Sequence, residues 1–118
     1  MSEKENVSTI NIKVGLDENK HPKTIFWRSD DNPDGHKEQE AKAMLVSFFD
    51  KEYKDTFKID LWTSEMQVAE MDRFVFQSLK AITDTYLKAT GNRQLANDMQ
   101  RFVQYFGEST EIIPKEGQ

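Results

Sequence analysis

Apolar and polar residues alternate first at Ile10, Ile12, Val14 and Leu16, with Asn11, Lys13 and Gly15 between them. A period of two with one apolar side predicts a half-buried strand. A polar loop, Asp17 to Pro22, follows. Thr24-Ile25-Phe26-Trp27-Arg28 is β-branched and aromatic, and reads as a second strand in a hairpin with the first. Ser29 to Lys42 is polar and irregular, and its later part, Lys37 to Lys42, offers helix formers for a helical turn. Two further apolar runs, Ala43 to Phe49 and Phe57 to Leu61, flank the compact charged turn Asp50 to Asp55, which predicts a second hairpin.

From Ser64 the period changes to 3.6. Ser64 and Gln67 have the spacing of a capping box. Val68, Met71, Val75, Leu79, Ile82, Tyr86 and Ala89 then form one apolar stripe. The spacing predicts a helix of about 25 residues, stopped by Gly91 in the C′ position. A second helix starts near Asn92, with Leu95, Met99, Phe102, Val103 and Phe106 on one face and Gly107 as its stop. Strands first and helices afterwards predict an α+β fold: a four-stranded antiparallel sheet of two hairpins, followed by two helices packed on one face. Residues 1–8 read as a disordered N-terminal tail, 9–107 as a single domain and 108–118 as a loose C-terminal tail.

Side-chain chemistry narrows the function classes. There is no cysteine, so disulfides and thiolate chemistry are excluded. The net charge is −5, with bases scattered among acids, so no basic stripe for nucleic acid is present. The start, MSEKENVSTINIK, has no apolar core of a secretory signal, and no apolar stretch approaches the roughly 20 residues that span a bilayer. The expected location is cytoplasmic, with no direct membrane insertion. Gly-x-Ser-x-Gly and Gly-x-Gly motifs are absent, and no catalytic residue, cofactor or enzyme activity is predicted. Asp30-Asp31-Asn32-Pro33-Asp34-Gly35 matches the opening of a calcium loop, but position twelve is Ala41 where a bidentate Glu belongs. His21 and His36 lie in separate loops, and no metal site is assigned. A calcium- or metal-responsive loop 30–40 is the weakest of three functional readings.

The more informative feature is apolar surplus. A sheet covered on one face needs one apolar face. The third strand is apolar on both: Met44, Val46 and Phe48 on one side, Ala43, Leu45 and Phe49 on the other. Ile25 and Trp27 share a side, with Phe26 opposite. Trp62 falls on the Lys58–Asp60 side, and Phe74 and Phe76 lie off the main stripe of the long helix. Exposed apolar surface of this kind marks interfaces. Trp62, Trp27, Phe48 and Asp60 are therefore the candidate partner-binding residues, with self-association as the simplest case.

The runs Glu40 to Asp50, EAKAMLVSFFD, and Ile59 to Met66, IDLWTSEM, resemble the gliding motility protein GldC family of Bacteroidota. Leu16 to Pro22, Gln67 to Met71 and Gln77 to Tyr86 are similar as well, so the likeness spans about residues 8 to 113. It implies a small protein associated with surface gliding, and brings no catalytic residue with it. The leading expectation is a non-catalytic protein-binding adaptor or assembly-support factor that binds a partner in the gliding machinery or itself as a homo-oligomer. The second is a chaperone-type binder of unfolded or exported clients, because four strands followed by two helices is similar in order to the export chaperone SecB.

Overall fold

A computed structural model describes residues 6–31 and 37–115 of the 118-residue chain. The chain forms two compact units, Met1–Met66 and Gln67–Gln118.

In the first unit, β1 (Ile10–Leu16) and β2 (Pro22–Ser29) form the expected hairpin. Their register sets Ile12 against Trp27 and Val14 against Ile25, so the apolar sides of both strands coincide. Asp17 closes the loop between them: its Oδ1 accepts from the Asn19 N–H at 2.8 Å and the His21 N–H at 2.9 Å. The second hairpin pairs β4 (Ala43–Phe49) with β5 (Thr56–Trp62), also as expected. Its turn is held by Asp50, whose Oδ2 accepts from the backbone of Glu52 at 3.0 Å and Tyr53 at 2.7 Å.

Between the hairpins the structure departs from the sequence reading. Gln39–Ala41 is a short strand, β3, rather than part of a helical turn, and it pairs with β2 through Ile25↔Ala41 and Trp27↔Gln39. A partner strand outweighs the helix propensity of three residues, because each paired residue gains ladder bonds that one isolated helical turn cannot supply. The chain bends at Lys42 and changes partner: the Lys42 carbonyl accepts from the Thr63 N–H at 2.8 Å, and β4 pairs with β5 alone. There is consequently no single four-stranded sheet. The strands form a three-stranded sheet β1-β2-β3 and a two-stranded sheet β4-β5, both antiparallel.

The second unit is a helical hairpin of α1 (Val68–Thr90) and α2 (Arg93–Ser109). The start of α1 corrects the capping expectation. Gln67, not Ser64, is the N-cap, and the Glu70 carboxylate accepts from the Gln67 N–H at 3.0 Å. Glu70 stands three residues after the cap, where a carboxylate reaches back to the free backbone donors. Gly91 ends α1 as expected, at φ 70°. Asn92 caps α2 by accepting from the Leu95 N–H at 3.1 Å.

Gly107, expected as the stop of α2, lies inside it and is buried. A Cβ there would stand 2.6 Å from the Phe76 ring and 2.8 Å from Ile113, so the missing side chain is what lets Phe76 and Ile113 close on the helix. Phe76 is thus part of the α1–α2 packing and not surplus surface. The helix ends at Thr110, and the chain turns back through Glu111 at φ 62°, with the Gly107 carbonyl accepting from Ile112 at 2.9 Å and Ile113 at 3.2 Å. The buried line of α2 is Ala96, Val103 and Gly107, whereas Phe102 and Leu95 remain largely exposed.

Candidate functional site

The apolar residues of the first unit are arranged by register. On β4-β5, Met44↔Leu61, Val46↔Ile59 and Phe48↔Phe57 are direct cross-strand pairs, which makes one face of this sheet wholly apolar along three pairs. The opposite face carries Ala43↔Trp62, Leu45↔Asp60 and Ser47↔Lys58. Lys58 and Asp60 form an ion pair on it at 3.3 Å. Two-faced apolarity of β4 is therefore real, and only part of it is covered: Ala43, Met44 and Val46 are half-buried, whereas Leu45, Phe48 and Phe49 are exposed. Phe48 is 60% exposed, Phe49 69%, Phe57 57% and Trp62 56%. Among the described residues, Ile25 is the one buried apolar side chain of this unit.

The four sequence-predicted residues do not converge on one spot. Trp62 and Asp60 share a face of β5, and Phe48 lies on the other face of the same sheet. Trp27 is half-buried on β2. It lines a groove of about 230 Å³ with Ile10 and Ile12 of β1, Ile25 of β2, Ala41 of β3, and Ala43, Met44 and Leu45 of β4. All eight lining residues are apolar. The groove exists because the strand run changes partner at Lys42, which leaves the first residues of β4 beside the β1-β2-β3 sheet without joining it.

A second hollow, about 320 Å³, is lined by Asp17, His21, Pro22, Trp62, Thr63 and Ser64. Sequence reasoning found Trp62 but not this grouping, which joins the β1–β2 loop to the end of β5. Thr63 is buried, and its Oγ1 has no hydrogen-bond partner among the described residues. The His21 N–H, and after it the Asn19 N–H, hold the Asp17 carboxyl below its ordinary value of 3.8. His21 Nδ1 lies 3.9 Å from the second Asp17 oxygen, and both side chains are exposed.

The calcium-loop reading falls mostly outside the described residues, since 32–36 are not among them. Asp30 and Asp31, which are described, face the start of β1: Asp30 Oδ2 accepts from the Thr9 N–H at 3.0 Å, and Asp31 Oδ2 from the Ser8 hydroxyl at 2.6 Å. Ala41, at the twelfth position, is a strand residue opposite Ile25. No group of three or more His, Cys, Asp or Glu side chains placed to hold a metal ion occurs among the described residues. No helix among them is long and apolar enough to cross a membrane.

The family model of gliding motility-associated proteins, GldC-like, matches residues 22–112. The chain belongs to the GldC-like family. The match covers every element from β2 to α2, including the β4-β5 hairpin and the Ile59 to Met66 run on which the sequence resemblance rests. Neither the curated proteins nor the solved structures contain a significant match to the chain. As a GldC-like protein it is gliding-motility-associated, and the family is not one of known enzymes.

Proposed function

We propose that this GldC-like protein works in the cytoplasm as a non-catalytic, protein-binding adaptor or assembly-support factor for the gliding machinery. One observation carries the reading: four aromatic side chains of the β4-β5 hairpin, Phe48, Phe49, Phe57 and Trp62, each keep more than half of their surface open to solvent. Burying one such ring in a partner is worth roughly 2 kcal/mol, and aromatic residues dominate interface energetics. Trp62 with Asp60 forms a ring-plus-carboxylate spot on one face, and Phe48 marks the other. Trp27 belongs to the groove.

The test is a Trp62→Glu variant in gliding cells. The expected result is loss of gliding with an unchanged melting temperature for the purified protein. Normal gliding with that variant would remove Trp62 from the partner surface, and a collapsed melting transition would make it ordinary core.

The wholly apolar groove supports a second reading, a chaperone-type binder that accepts the apolar side chains of an extended client. Excess protein should then suppress aggregation of a chemically unfolded client. A Trp27→Asp variant should lose that effect.

A further inference from the structure

We infer that β4 is a self-pairing edge, through which a second copy of this chain adds its own β4 antiparallel about a two-fold axis. The inference rests on the reading of the apolar surplus as a docking surface.

The open side of β4 follows from the backbone bonds at its two ends. Lys42 points its carbonyl at β5, toward Thr63, and Asp50 points its N–H at β5, toward Asp55. Backbone groups alternate sides along a strand. Residues 44, 46 and 48 therefore face β5, and residues 43, 45, 47 and 49 turn theirs to the opposite edge, where no strand pairs among the described residues. Protected edges carry charge, proline or a bulge. The β4 sequence, AMLVSFF, has no charge and no proline, and its register with β5 is unbroken.

The segment is complementary to itself. Antiparallel pairing centred on Val46 sets Val46 against Val46, Met44 against Phe48, Leu45 against Ser47 and Ala43 against Phe49. No charged side chain within β4 meets its like, which matters for a chain of net charge −5. At each end of the same register Lys42 of one copy stands opposite Asp50 of the other, so opposite charges close the pair. The four outward residues of each strand allow about eight new backbone hydrogen bonds. The exposed shares of Leu45, Phe48 and Phe49, roughly 300 Å² per copy, together with the two backbone edges set a ceiling of roughly 1,000 Å² on the buried total, the lower end of the range for a specific interface.

The test uses the full chain and its lack of cysteine. Light scattering after size exclusion should give twice the 13.8 kDa chain mass at about 100 μM. Val46→Cys places one thiol opposite its own copy in a non-hydrogen-bonded pair, at the Cα separation a disulfide accepts. It should cross-link under mild oxidation. Ser47→Cys, which faces Leu45 of the second copy, should not. Ser47→Glu puts a charge at the seam, beside Leu45 of the second copy, while standing opposite Lys58 of β5, where opposite charges leave the hairpin intact; it should raise the dimer dissociation constant at least about tenfold with circular dichroism unchanged.

A monomer at that concentration overturns the inference. So does a dimer that survives Ser47→Glu, or one in which Val46→Cys stays reduced. None of these outcomes touches the adaptor reading, which stands or falls on the Trp62→Glu gliding assay.

Discussion

Thr63 is the residue whose environment is hardest to reconcile with stability alone. A buried hydroxyl without a partner costs about 1–3 kcal/mol, and replacing it by an apolar group of the same shape removes that cost. Thr63→Val should therefore raise stability by about 1 kcal/mol in urea unfolding, and a loss of stability would show that the hydroxyl has a partner in solution. Gly107 predicts the opposite sign. Gly107→Ala brings a Cβ to 2.6 Å from the Phe76 ring, so the helical hairpin must shift, at a cost of about 1–3 kcal/mol. Asp17 adds a pH dependence. Its folded-state pKa lies below the ordinary 3.8, chiefly through the His21 N–H. Its contribution is therefore fully present above that value and is lost as the pH falls through the lowered one. The melting temperature of the wild type should drop as the pH is lowered through and below 3.8. Asp17→Asn, which keeps an acceptor and cannot titrate, should show a smaller drop.

At the level of elements, both hairpins and both helices were legible in the pattern, because each depends on a period and a local stop. Ile25 and Trp27, or Met44, Val46 and Phe48, could be placed on one side of their own strand from alternation, and the registers set those sides against Val14 and Ile12, and against Leu61, Ile59 and Phe57. Gly91 as a helix stop was equally local, since only its own left-handed φ is required. Gly107 was misread because its role depends on Phe76, 31 residues earlier, and on Ile113. The cap of α1 was displaced by three residues for a related reason. Two overlapping boxes, Ser64 with Gln67 and Gln67 with Glu70, are both present in the sequence, and the backbone uses the second. Glu70→Ala should accordingly weaken the start of α1 by about 0.5–1 kcal/mol, read as a lower unfolding midpoint, while Ser64→Ala should leave it unchanged.

For the molecule as a whole, the amino-acid pattern determined the class, the order of every element but β3, the acidic net charge and the excess of apolar side chains. These depend on periodicity and composition, which any stretch of chain carries with it. Family membership, too, was legible in the runs around Phe48 and Trp62. What only the tertiary structure decided is which partner each backbone edge takes. Three residues, Gln39–Ala41, join β2 although their propensity is helical, and the bend at Lys42 hands the chain on to β5. That exchange breaks the expected four-stranded sheet, opens the apolar groove and leaves the β4 edge unpaired. Strand pairing is settled by contacts between distant segments, each worth little alone, so no local window of sequence contains the information that selects it.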